Sequence, residues 1–173
     1  MPRRLFKKFA FKRHEVAKQW FMTPFRHMLH DPRLWGVRRR WVVPAFAIGL
    51  FVSFMPFPGH TLMGALAALA LRVNIPVAAV STWVSNPATM IIMYPAAYQV
   101  GRAVLGTPPR DVSFDVTWEW VGSTLVYIWQ PMLLGSILLG AAAAIVGYVT
   151  LDIIWRLSIA NYKTRKRAGS KKD

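Results

Sequence analysis

Residues 41–71 hold apolar, small, hydroxyl and proline residues, a single histidine and not one Asp, Glu, Lys or Arg. A membrane-spanning helix needs roughly 20 such residues. A soluble core helix would show a polar stripe every third or fourth position, and this run shows none. Two further apolar runs follow, 75–105 and 120–155. The pattern predicts an all-α, polytopic membrane protein. The stretch "SFMPFPGHTLMG", 53–64, breaks the first run at Pro56, Pro58 and Gly59. The second run is broken at Asn86-Pro87 and again near Pro95. The two main breaks sit near the middle of their runs, which predicts two Pro/Gly-interrupted or re-entrant helical segments. The third run predicts a C-terminal transmembrane helix, with one uninterrupted span after Pro131 and small residues ("GSILLGAAAAIVG", 135–147) that let helices approach closely in lipid.

Charge sharpens this picture. The net charge of +15 comes from the flanks: 12 of the 22 Lys/Arg fall in residues 1–40 and 7 in 156–173. Basic flanks on apolar runs mark the cytoplasmic side and attract anionic headgroups. With no nucleic-acid fingerprint in the chain, a nucleic-acid partner is not expected. Residues 1–40 read as a basic amphipathic cytoplasmic or interfacial segment, 41–155 as the membrane domain and 156–173 as a basic cytoplasmic tail. Within the first of these, 3–21 resembles a surface-lying helix, and Asp31-Pro32 is a helix start. A cleavable signal peptide is not expected, because the basic region precedes the first apolar run by too much. The loop 106–119 carries Arg110 against Asp111, Asp115 and Glu119, which suits the outer face. Both termini are then cytoplasmic, and 41–105 must cross the membrane an odd number of times. Asp152 and Arg156 lie one helical turn apart and read as an i,i+4 pair.

Proline inside a helix removes one donor and obstructs a carbonyl, and an unpaired backbone group in hydrocarbon costs several kcal/mol. Such breaks therefore imply a polar interior or burial in protein, and paired breaks point to a substrate site. Helix starts fit at His60-Thr61 and at Asn86-Pro87, whose exposed amides suit an anionic group. The candidate substrate-binding residues are His60, Arg72, Asn74, Asn86, Thr89 and Arg102. Each has a plainer reading: His60 capping free carbonyls, Asn86 a structural N-cap, Arg72 and Arg102 reaching to the headgroups. The apolar region has no acidic pair, no nucleophile motif and no phosphate-binding glycine loop. With no cysteine and only four histidines, a metal site is not expected either. The expectation is a non-enzyme without a cofactor.

Further motifs carry a resemblance. They are Arg33-Leu34-Trp35 ahead of Arg38–Arg40, "AIGLF" (47–51) before "PFPGH" (56–60), Arg72-Val-Asn74-Ile-Pro76, and Trp83-x-Ser85-Asn86-Pro87-x-Thr89 followed by Tyr94, Tyr98 and Gly101. Together, over 31–106, they resemble the bacterial membrane proteins grouped as domain of unknown function 2062. The resemblance implies a bacterial inner-membrane location. That domain sometimes occurs fused to cell-envelope glycosyltransferases, which implies lipid-linked substrates. The layout of broken helices is also similar to that of DedA-type proteins, which are implicated in lipid-carrier transport. Two functions follow as expectations. One is a transporter- or flippase-like protein for an anionic lipid or small solute, working with membrane lipids and, in so short a chain, as a homo-oligomer. The other is a non-catalytic partner or anchor of an envelope complex.

Overall fold

The computed structural model describes residues 31–108 and 118–169, with side chains in 31–108 and 128–159. The readings of 3–21 as a surface helix and of the acidic loop centre fall outside these residues. Among the described residues the chain is all helix: α1 (Pro32–Trp35), α2 (Arg39–Ser53), α3 (His60–Ala70), α4 (Ile75–Ser81) with a 3-10 turn (Thr82–Val84), α5 (Pro87–Leu105) and α6 (Trp118–Gly169).

Local chemistry sets most boundaries. Asp31 accepts from the amide of Arg33 at 2.8 Å with Pro32 at the first helical position, which starts α1. Asn74 starts α4 by accepting from Val77 N at 2.9 Å. Gly59, at φ 85°, supplies the left-handed residue between the Pro56–Pro58 corner and α3. Two prolines behave otherwise than their sequence suggests. Helix α5 runs through Pro95, so the second run has one break and not two. Helix α6 begins well before Pro131 and passes through it. A lone proline removes one hydrogen bond, and a helix packed on a neighbour absorbs that loss. The basic tail beyond Arg156 continues α6 as far as Gly169.

Three close approaches fix the packing. Gly101 and Gly135 place α5 directly on α6: a Cβ on Gly101 would lie 2.6 Å from the carbonyl carbon of Pro131, and one on Gly135 would lie 2.6 Å from that of Ala97. Gly49 lets α2 meet α4, where an added Cβ would lie 2.5 Å from Ser81 Cβ. Gly140 and Gly147 sit on Phe51 and Phe46, so α2 lies antiparallel along α6. The core of Leu34, Ala45, Ala68, Leu69, Ile75 and Ala78 fills the space between α1, α2, α3 and α4.

The chain doubles back inside this bundle. Asn74 N donates to Trp41 O at 3.2 Å and Asn74 Nδ2 to Gly36 O at 3.1 Å. After α2 and α3 the backbone has thus returned to where α2 began. The two helices have 15 and 11 residues, or about 22 and 16 Å at 1.5 Å per residue. Among the described residues one helix is long and apolar enough to cross a membrane, Ile128–Ile159. The pair Ile75–Val84 and Pro87–Leu105, bent by 77° at Ser85-Asn86, passes the same test only when taken together.

Candidate functional site

The first break is closed by its own residues. Beyond α2, Met55 N donates to Val52 O at 3.1 Å and Phe57 N to Met55 O at 2.9 Å. His60 Nε2 donates to the same Met55 carbonyl at 2.6 Å. A carbonyl only accepts, so the ring proton sits on Nε2. The tip itself, Phe57, Pro58 and Gly59, is exposed.

The second break carries a full capping box. Asn86 Oδ1 accepts from Ala88 N (3.0 Å) and Thr89 N (3.1 Å), while Thr89 Oγ1 accepts from Asn86 N at 2.9 Å. The Thr89 hydroxyl has one proton, and its shorter donation is to Val84 O at 2.6 Å. That answers a carbonyl the break would otherwise leave open.

The segments that carry the two breaks meet. Thr61 Oγ1 and Thr82 Oγ1 are 3.3 Å apart. Thr82 donates its proton to Ala79 O at 2.7 Å, so Thr61 is the donor between them. Gly64 packs against the same Thr82 methyl, with an added Cβ only 2.7 Å away. The start of α3 and the 3-10 turn after α4 therefore form one junction, in which Ser81 and Thr82 are buried. Among the described residues two hydroxyls, Ser85 Oγ and Ser136 Oγ, are buried without a hydrogen-bond partner, and Ser136 is 0% exposed.

Of the residues predicted from sequence, His60 stands beside Thr61 at the start of α3, while Asn86 and Thr89 form the capping box that opens α5 beyond the 3-10 turn. Arg72 and Asn74 lie at the other end of α3, about 16 Å away by helix rise. Arg72 adopts φ 53° in an exposed turn, and Asn74 is buried as a cap and tether. Arg102 stands in the last turn of α5, on the far side of four turns of helix from Asn86. The six do not line one cavity.

Sequence reasoning missed a second feature. The expected i,i+4 pair is present, with Arg156 Nε donating to Asp152 Oδ2 at 2.9 Å. Asp152 also pairs through Oδ1 with Arg39 Nε, across from the start of α2. Arg38 and Arg40 flank this contact with their guanidinium carbons 5.1 and 4.7 Å from the Trp41 ring centre. Together with Val43 and Tyr148 these groups line an open cleft of about 440 Å³. Its signal in the sequence was Asp152 itself, an acid in an apolar run, which calls for a cation from elsewhere in the fold.

A family model described as "Uncharacterized protein conserved in bacteria (DUF2062)" matches residues 22–164. No curated protein and no solved structure matches the chain.

Proposed function

The chain belongs to this family, DUF2062, and on that premise we propose that it is a multi-pass protein of the bacterial inner membrane that moves anionic lipid in a flippase-like manner. The observation that carries the reading is the meeting of the two broken segments at Thr61 and Thr82.

A membrane setting is supported by what α6 leaves uncovered. Only 11% of its most apolar window is buried, whereas the core helix of a water-soluble protein would be covered. Ile91, Ile92, Ile145 and Val146 are 64 to 75% exposed, and apolar surface in water costs roughly 25 cal/mol per Å². In this reading α6 is one crossing and the bent α4–α5 pair is a second. Helices α2 and α3 form a re-entrant hairpin, since neither reaches the roughly 30 Å of a hydrocarbon core. The arginines at the start of α2 and end of α6 put that end in the cytoplasm.

The junction then lies at membrane depth, with the N-terminus of α3 beside it and the start of α5 just beyond the 3-10 turn. The uncapped amides of the first turn of α3 and the positive dipole ends favour an anionic group in transit. Its hydroxyls offer hydrogen bonds without the desolvation penalty of a buried charge. His60, Thr61, Thr82, Asn86 and Thr89 are the residues assigned to this path.

Purified protein reconstituted in vesicles with fluorescent phosphatidylglycerol tests the reading, using dithionite to bleach outer-leaflet probe. Exchange between leaflets should exceed that of protein-free vesicles by about tenfold, and the Thr61→Val/Thr82→Val double variant should lose most of it, roughly 1.4 kcal/mol of barrier per factor of ten. Exchange no faster than in empty vesicles rules the reading out.

A second reading has its own observation. His60, Asn74, Asn86 and Thr89 are each engaged in closing a helix end, as in a purely structural scaffold. A non-catalytic partner of an envelope complex would show no exchange, and would lose its complex on truncation of residues 1–30 or 160–173.

A further inference from the structure

We infer that the arginine cleft at the start of α2 holds the phosphate of an anionic phospholipid, whose acyl chain lies in the apolar groove between α2 and α6. The inference rests on the membrane reading above and names a lipid site distinct from the Thr61–Thr82 junction.

The charges around the start of α2 are out of balance. Arg38 is the N-cap residue and Arg39 and Arg40 the first two helical positions. This end of a helix carries about half a positive charge and favours anions. Three guanidiniums there oppose the dipole, and α2 has no acidic residue in its first turn and no side-chain cap. Asp152 is the one carboxylate lining the cleft among the described residues, and it is divided between Arg39 and Arg156. Arg38 and Arg40 have no ion pair among the described residues; they rest over Trp41. A phosphate in the cleft would accept from both forks and from the free amides of the first turn.

What distinguishes a lipid from a free anion is the surface next door. Tyr148 is shared between the cleft and a groove of about 250 Å³ lined by Ala47, Ala144, Ile145 and Val149. The groove follows the α2–α6 seam away from the arginines. A basic pocket continuous with an apolar channel matches a molecule with a charged head and a hydrocarbon tail. Trp41 and Tyr148, ring side chains with a polar edge, stand at the boundary where such residues concentrate.

Native mass spectrometry of the full chain extracted in detergent tests this, with phosphatidylglycerol, phosphatidylcholine and inorganic phosphate as probes. Phosphatidylglycerol should be retained about tenfold more tightly than phosphatidylcholine. Arg38→Gln/Arg40→Gln, at two exposed positions, should remove that preference, and Arg102→Gln should leave it intact. Ala144→Phe, which fills the groove, should weaken phosphatidylglycerol and leave binding of inorganic phosphate unchanged. Equal retention by the double variant, or binding of inorganic phosphate with no retention of lipid, overturns the inference. Recovery of each variant in the membrane fraction separates the outcomes: protein found in the soluble fraction defeats the membrane reading, whereas unchanged lipid retention by membrane-extracted protein defeats only this site.

Discussion

Gly101→Ala is expected to cost about 3 kcal/mol or more and to abolish the packing of α5 on α6. Overpacking a core side chain typically costs 1–3 kcal/mol because neighbours can turn aside. Here the opposing atoms are main chain. The new methyl would fall on the Pro131 carbonyl and 2.9 Å from Gly135 N, and neither can rotate away. The relation is reciprocal, since Gly135 faces Ala97 and Gly101 in the same manner, so Gly135→Ala should match it. Helices in lipid associate through such close contact rather than through water exclusion. Gly140→Ala is the informative control. Its nearest neighbours lie at 3.1 to 3.3 Å and include the Phe51 ring, which can shift. Tryptophan-fluorescence melting of detergent-purified protein should place both crossing variants far below the parent, and Gly140→Ala close to it.

Asn74→Ala should cost about 2–3 kcal/mol, and by a different mechanism. The residue is 3% exposed. Its Oδ1 caps α4, and loss of an N-cap costs about 1 kcal/mol. Its Nδ2 answers the half-buried Gly36 O, and a carbonyl shielded from water and left without a donor costs roughly 1–3 kcal/mol. Asn74→Ser keeps a capping oxygen but cannot reach Gly36, so it should recover about 1 kcal/mol of the loss. The same melting experiment separates the two contributions. If Asn74→Ser were as unstable as Asn74→Ala, the cap would contribute nothing.

These effects also mark what could be read from the sequence. The breaks were legible because their causes are local. Pro56, Pro58 and Gly59 stand within four residues, and Asn86 precedes Pro87 with Thr89 in reach, so each corner carries its own closure. Pro95 had the same local signal without the outcome. It lacks a capping residue and a glycine, and α5 lies pressed on α6 within a turn of it, at Ala97. The candidate site was half legible. His60, Asn86 and Thr89 were picked out as groups beside breaks. That Thr61 and Thr82 meet follows from the fold of α3 against α4 and its 3-10 turn, a pairing across 21 residues that no local pattern encodes. The Arg39–Asp152 contact spans 113 residues. Arg38–Arg40 accordingly read as a marker of sidedness, and their second role as the wall of a cleft emerged only once α2 lay on α6.

The central claim is that α2 and α3 enter and leave on one side of the membrane, and the cysteine-free chain suits it to a single measurement. Single cysteines at Val37, Phe57, Arg72 and Thr107 can be labelled with an impermeant maleimide in intact and in permeabilised cells. The account predicts that Val37→Cys and Arg72→Cys react only after permeabilisation, Thr107→Cys reacts in intact cells, and Phe57→Cys at the hairpin tip is not labelled in intact cells. Labelling of Phe57→Cys or Arg72→Cys from outside intact cells would mean that α2 crosses completely, and would contradict the account.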